Sequence, residues 1–255
     1  MTTANLPQAR FNYLLRLGDN ALILGQRLSE WCGHGPVLEQ DIAITNIALD
    51  LIGQARSIYA YAAELEGKGR SEDDIAFLRD AWDFYNVQLV EQPNEDWAYA
   101  IVRQFLFDSC NFYLYQSLTH SSDEHIRAIA EKSLKEITYH LRYSSEWMIR
   151  LGDGTELSRQ KMQTALDDLW MYSGEMMMMD ELDMLMRDLG IGADFDAIKP
   201  QVDAKRREVI SEATLQIPGN PWMQSGGKQG RHTEFLGHIL ADMQFMQRAY
   251  PGMTW

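Results

Sequence analysis

The stretch Lys132–Arg150, KSLKEITYHLRYSSEWMIR, decides the fold class of this 255-residue chain. Its apolar residues recur at helical spacing, which predicts one amphipathic helix. The same helix carries Glu136, with Tyr139 three residues later and His140 four residues later. In helical bundles that hold two metal ions, a Glu-x-x-His pair on such a helix projects two ligands inward. Here a tyrosine takes the position of the histidine, and the imidazole stands one residue further on.

The rest of the chain repeats the helical pattern. Long helices are predicted over 10–31, 39–66, 95–118 and 123–151, and shorter ones over 71–90, 155–172, 175–189, 200–214 and 233–249. Long helices joined by short turns predict an all-α fold, a ferritin-like four-helix bundle with additional helices. No linker or composition shift divides the chain, so we expect one ferritin-like helical domain over residues 1–255.

Each of the four long helices carries an acid within apolar sequence: Asp19, Asp50, Asp108 and Glu136. An ionised carboxylate buried among apolar side chains is unfavourable by several kcal/mol unless it is paired or hydrogen-bonded. One such acid per helix is the pattern of a di-metal carboxylate site. These acids are therefore the candidates for a metal centre or for its remnant.

The histidine half of that pattern is missing. Gly53 follows Asp50 by three residues and Tyr139 follows Glu136 by three, and neither supplies an imidazole. Two hypotheses remain, a weakened metal site and a metal-free network of hydrogen bonds and ion pairs. We favour the second, because buried polar groups in helical proteins are normally satisfied by neighbouring side chains. We therefore predict no metal ligands and no catalytic residues, with His140 as a further member of the degenerate site.

Charge and composition exclude several classes of function. The net charge of −14 argues against a nucleic-acid surface and against binding to anionic membranes. Residues 1–10 contain no apolar segment of a signal peptide, and no apolar run is long enough to span a bilayer. We therefore expect a cytoplasmic protein. The run 225–230, SGGKQG, lacks the ending and the preceding strand of a phosphate-binding loop and is interpreted as a flexible loop.

Six segments carry a likeness to a known family: LRLGDNALILGQRLSEWCGHGP (15–36), ALDLIGQAR (48–56), VEQPNEDWA (90–98), RQFLFD (103–108), KEITYHLRYSSEWMIRLGDGTE (135–156) and GGKQGRHTEFLGHILADMQFMQRAYPG (226–252). Together with the closing Trp255 they resemble the C subunits of the bacterial 1,2-phenylacetyl-CoA epoxidases. These belong to the ferritin-like subunits of bacterial multicomponent monooxygenases. The likeness runs from about residue 13 to residue 255.

The resemblance implies a role in phenylacetate catabolism as a structural subunit without cofactors of its own. In that family the di-iron centre and the epoxidation chemistry belong to the A subunit. A reductase with flavin and iron–sulfur cofactors delivers electrons from NADPH. The expected partners are therefore the A subunit, which this chain would pair with and stabilise, and the other subunits of the complex, including the reductase.

Whether the chain is itself an enzyme is left open by the sequence. One alternative is a di-iron oxygenase in its own right, and another is a scaffold that binds CoA esters without turnover. The CoA part of the substrate is long enough to reach this subunit. The candidate contacts are Asp83, Phe84, Tyr85, Asn86, Met184, Leu185 and Met186.

Overall fold

All regular structure that the computed structural model describes, over residues 6–219 and 222–253, is helical. The helices in this part of the chain are α1 (Leu6–Ser29), α2 (Leu38–Glu66), α3 (Glu72–Phe77), α4 (Trp97–Leu118), α5 (Glu124–Gly152), α6 (Glu156–Trp170), α7 (Glu181–Asp188), α8 (Phe195–Glu212) and α9 (Glu234–Ala249). The prediction of an all-α, ferritin-like chain with additional helices is confirmed. Across the described residues, none of the helices combines the length and apolar content that crossing a bilayer requires.

The chain forms two compact units. The first contains the described residues of Met1–Gln92 and Gly226–Trp255, and the second contains those of Pro93–Ser225. The first unit therefore holds α1, α2, α3 and α9, and the second holds α4 to α8. That the whole chain acts as one domain stays a prediction.

The first unit is built on the antiparallel pair α1 and α2. Gly18 of α1 faces Tyr59 of α2, and Gly25 faces the turn around Ile52, so the contacts run in opposite directions along the two helices. A Cβ atom at position 18 would lie 2.4 Å from Cε1 of Tyr59. The glycine therefore makes room for the tyrosine ring, which is fully buried against α1.

The third predicted helix, over 71–90, is much shorter than expected. The capping box of Ser71 and Asp74 opens α3, but the helix ends at Phe77. Beyond it the backbone is extended at Phe84 and Val87, between two short 3-10 turns. Backbone N–H groups of this segment donate hydrogen bonds to side chains of α1. For example, the N–H of Val87 donates to Oδ1 of Asn20 (2.8 Å). Tertiary hydrogen bonds thus replace the helical ones that periodicity alone predicts.

The second unit is built on α4 and α5, which a short connection joins and which pack along each other, with α6 and α8 against them. Two predicted boundaries were wrong here. The helix expected over 175–189 is a 3-10 turn followed by α7, because Asp180 caps a new helix with bonds to the amides of Leu182 and Asp183. Similarly, α8 begins at Phe195 after the cap Asp194, so Pro200 lies inside the helix.

In the loop expected to be flexible, 225–230, residues 226–230 belong to the first unit, and Gly227 packs against the segment 86–88. Gly227, Lys228 and Gly230 are buried. A Cβ atom at Gly227 would lie 2.2 Å from the carbonyl oxygen of Asn86. In addition, Gln88 Nε2 donates to the carbonyl oxygen of Arg231 (2.9 Å). The glycines of this loop therefore permit a close approach of two backbones.

This packing predicts that Gly227→Ala lowers the free energy of unfolding by about 2–3 kcal/mol, since the methyl group would meet backbone atoms that have little room to move. The matched control is Gly237→Ala, in α9, where a Cβ atom meets nothing within 4 Å. The control should raise stability by about 0.5–1 kcal/mol through helix propensity. Urea unfolding of both variants measures this, and equal effects of the two substitutions would contradict the packing described for the loop.

Candidate functional site

Asp19, on α1, is fully buried and is surrounded by donors within the first unit. Arg79 donates to both of its oxygens, from Nη1 (3.1 Å) and from Nη2 (2.5 Å). The hydroxyl of Tyr59 donates to Oδ1 (2.5 Å), and the backbone N–H of Tyr85 donates to Oδ2 (2.8 Å). The carboxylate is thus held by a two-pronged ion pair and by two further hydrogen bonds.

Arg79 is held in place by its own surroundings just beyond α3. Its Nε donates to the carbonyl oxygen of Ile75 (2.6 Å) and Nη1 donates to that of Asp83 (2.8 Å). The guanidinium also stacks over the ring of Phe84, with its carbon 4.0 Å from the ring centroid. Burial lowers the pKa of Arg79, but the adjacent Asp19 carboxylate and Tyr59 together outweigh burial and raise this pKa. The arginine therefore stays charged inside the unit.

Tyr59 completes this group as a neutral donor. Burial and the neighbouring Asp19 carboxylate raise its pKa well above the ordinary value. Three side chains that are far apart in sequence therefore form one network that links α1, α2 and the end of α3. We call Asp19, Tyr59 and Arg79 the Asp19 network.

The Asp19 network does not fit a di-iron centre. Each oxygen of the Asp19 carboxylate already accepts two hydrogen bonds, so a metal ion would have to displace these donors. Asp50, the other candidate acid of this unit, is only half-buried on α2. Position 53, where an imidazole would be needed, is exposed, and a Cβ atom there meets none of the described residues within 4 Å.

Asp108, on α4, is the buried acid of the second unit, and its donors are neutral. Gln104 Nε2 donates to Oδ1 (2.7 Å) and the Ser144 hydroxyl of α5 donates to Oδ2 (2.8 Å). Burial raises the pKa of Asp108 to about 7, while His140 and the two hydrogen bonds act in the opposite direction. This acid thus links α4 to α5 by a hydrogen bond. Because its pKa is about 7, it changes its protonation state near neutral pH.

On α5 the three residues of the opening motif point in different directions. His140 is fully buried and interacts electrostatically with Asp108, Glu136 is half-buried, and Tyr139 is 41% exposed. The ring contacts of Tyr139 are with His140 and Tyr143 of its own helix. The inward position of this motif is therefore that of the histidine, and Tyr139 stands where a ligand would face outward.

The six residues predicted to form a degenerate metal site, four acids with a tyrosine and a histidine, are divided between the two units. Asp19 and Asp50 belong to the first unit; Asp108, Glu136, Tyr139 and His140 belong to the second. Within 6–219 and 222–253 no group of three or more His, Cys, Asp or Glu side chains is arranged to hold a metal ion. The absence of metal ligands and catalytic residues in this chain stays a prediction.

A second buried acid of the first unit was missed at the sequence level. Glu91 is fully buried, and Nδ1 of His232 lies 3.4 Å from its Oε1. His232 Nε2 donates to the carbonyl oxygen of Phe84 (2.8 Å). Burial raises the pKa of Glu91 despite the bond to His232, and Glu91 raises the pKa of His232 despite burial. No local sequence motif predicts this pair, because 141 residues separate Glu91 from His232.

The residues proposed to contact a CoA ester are also divided between the units. In the first unit, Phe84 and Asn86 are fully buried, Tyr85 is half-buried and Asp83 is exposed. In the second, Met186 is buried, whereas Leu185 is half-buried and Met184 is 40% exposed. Their assignment as substrate contacts stays a prediction, and only the exposed members offer a surface to a ligand.

Concave surfaces lie elsewhere in both units. In the second unit a cleft of about 330 Å³ opens between α4, α5 and α8, with Phe112, Leu141 and Val209 among its lining residues. In the first, a groove of about 520 Å³ runs along α9 beside Asp80. The predicted CoA contacts line neither of these two surfaces.

The environment of Asp108 predicts a pH-dependent contribution to stability. Its pKa is about 7 in the folded chain and about 3.9 in an unfolded one, so its contribution is fully present below about pH 4 and is lost as the pH rises to about 7. Relative to Asp108→Asn, wild type should therefore lose up to about 1.4 kcal/mol per pH unit between pH 5 and pH 7. Urea unfolding of both proteins at several pH values measures this, and parallel pH profiles would contradict it.

Comparison with known proteins places these features in a family. A family model described as phenylacetic acid catabolic protein matches residues 1–255. The chain is also 48% identical, over 243 residues, to the protein of Escherichia coli (strain K12) that is named as the C subunit of 1,2-phenylacetyl-CoA epoxidase. That match covers 95% of this chain and 98% of the relative, which confirms the resemblance drawn from the six segments. The chain belongs to the phenylacetic acid catabolic protein family.

Proposed function

We propose that this chain is a non-catalytic, structural subunit of a 1,2-phenylacetyl-CoA epoxidase, which pairs with the di-iron catalytic subunit and stabilises it. The observation that carries the proposal is the match to the Escherichia coli protein named as the C subunit of that enzyme, which extends over nearly the full length of both chains. Proteins this similar over their whole length share a fold and commonly share a place in a complex. Phenylacetate catabolism then supplies the metabolic setting.

The partners of the buried acids support a non-catalytic role. Asp19 is satisfied by Arg79 and Tyr59, and Asp108 by Gln104 and Ser144. An oxygenase site needs carboxylates that are available to metal, whereas these are engaged by protein donors. In this proposal the acids serve to hold helices together, and the oxygen chemistry takes place in the partner subunit.

The remaining parts of the proposal follow from membership of such a complex. The di-iron centre belongs to the catalytic A subunit, and flavin and iron–sulfur cofactors belong to the reductase, so this chain carries no cofactor of its own. It works in the cytoplasm, and the CoA part of the substrate can touch its exposed surface. An active di-iron oxygenase is the rival assignment, and it requires this chain alone to hold iron.

Co-expression tests the proposal. A tagged catalytic subunit from the same organism is produced with this chain or with an empty vector, and its soluble yield and epoxidase turnover with the reductase are measured. We expect this chain to co-purify with the catalytic subunit and to raise both quantities several-fold. Equal yield and turnover without this chain would contradict a structural role.

Elemental analysis of the isolated chain separates the proposal from the rival oxygenase. After dialysis we expect iron and manganese far below one ion per chain, because the carboxylate of Asp19 is bound to Arg79. Two retained iron ions per chain would instead establish a metal site in this subunit.

A further inference from the structure

One face of α2 is exposed from Leu38 to Ala60 and carries one charged residue over that length. Seven positions at spacings of three and four residues form this face, which we call the α2 stripe: Leu38, Ile42, Asn46, Leu49, Gly53, Arg56 and Ala60. Leu38 is 71% exposed, Ile42 52% and Leu49 61%. Arg56 is its one charged member, and this side chain forms an ion pair with Glu72 (3.2 Å). The large apolar side chains thus lie in the first half of the face, and the two smallest residues, Gly53 and Ala60, lie in the second half.

Gly53, near the middle of α2, has no evident role within the chain. Glycine is a poor helix former, because it loses more backbone freedom on folding than any other residue. Gly53 is helical and exposed, and a Cβ atom there meets nothing of this chain within 4 Å. A glycine in the middle of a helix usually has a packing or functional reason. The described residues leave the space beside Gly53 open, so a reason of this kind would have to come from a binding partner.

We propose that the α2 stripe is the surface on which this chain receives an apolar helix of its catalytic partner subunit, with the closest approach at Gly53. The inference rests on the proposed function, which supplies the partner. Interfaces of permanent complexes are more apolar than the ordinary protein surface, and the stripe matches this property. A helix with a mainly apolar face, packed along α2 with Leu38, Ile42 and Leu49 between its side chains, is the fitting occupant.

A second copy of this chain fits the stripe less well. The chain has 37 acidic and 23 basic residues and a net charge of −14, so two copies would bring two strongly acidic proteins together. Self-repulsion of this kind disfavours compact association of like chains. A different subunit with a more basic surface would instead be attracted, which favours a heterologous partner.

The groove along α9 is the competing surface in the same unit. It also contains an open glycine, Gly237, and an exposed aromatic ring, Phe245, which is 62% exposed. The groove itself, however, is lined by the charged residues Asp80 and Arg248, which form an ion pair (2.9 Å). Charged residues are depleted in the cores of protein interfaces. The α2 stripe is therefore the better candidate for a large apolar contact.

Matched variants on the two helices test the inference. Leu49→Glu and Gly53→Arg change the α2 stripe, and Phe245→Glu and Gly237→Arg make the same kinds of change on α9. Binding of each purified chain to the catalytic subunit is measured by titration calorimetry. We expect the α2 variants to weaken binding at least tenfold and the α9 variants to bind as wild type. Circular dichroism of the free chains checks that all four variants fold.

Gly53→Ala provides a measurement in which stability and binding move in opposite directions. Because alanine is the better helix former, the melting temperature of the free chain should rise by about 2–4 °C. Binding to the catalytic subunit should nevertheless weaken, since the methyl group lies in the proposed contact. Gly237→Ala should raise the melting temperature similarly and leave binding unchanged.

The outcomes distinguish the inference from the proposed function. If wild type does not bind the catalytic subunit, the proposed function fails and the inference fails with it. If wild type binds and the α2 variants bind equally well, the inference alone is overturned. Weaker binding of the α9 variants would show that the contact lies at the α9 groove instead. A dimer of the free chain in light scattering that Gly53→Arg abolishes would show a second copy on the stripe and would also overturn the inference.

Discussion

The ion pair between Asp19 and Arg79 is the interaction on which the first unit depends. A carboxylate and a guanidinium, both buried, lie in contact, and each would be strongly unfavourable without the other. Their other bonds recruit Tyr59 of α2 and the backbone of Tyr85, so that the pair fixes the α1–α2 hairpin and the extended segment beyond α3 at once. The same segment then supplies the surface on which the loop at Gly227 packs.

The long helices were predictable because their periodicity is local. The positions of α1, α2, α4 and α5 follow from apolar spacing and from the turn and capping residues between them. The third helix was predicted too long because the same spacing continues through 78–90, where acceptors on α1 take up the backbone N–H groups instead. No pattern within 71–90 reveals an acceptor that lies more than 60 residues away.

The candidate site was predicted in part. Asp19 and Asp108 are buried acids, as their apolar neighbours indicate, and His140 points inward. The partners Arg79 and Ser144 were not identified, because tertiary contacts decide which donor reaches a buried acid. The rotation of the helix explains why no ligand follows Asp50. Three residues after Asp50, the side of α2 at Gly53 faces solvent. In our proposal that exposed face meets a partner subunit.

The central claim is that a guanidinium, and not a metal ion, satisfies the buried acid of the first unit. A double-mutant cycle with Asp19→Asn and Arg79→Met, measured by urea unfolding, tests it most directly. We predict that each single substitution lowers the free energy of unfolding by about 3–5 kcal/mol, because it leaves a buried charge without its partner. The double substitution should be less destabilising than the sum by at least about 2 kcal/mol. Additive effects, within about 0.5 kcal/mol, would show that the two groups do not depend on each other and would contradict the account.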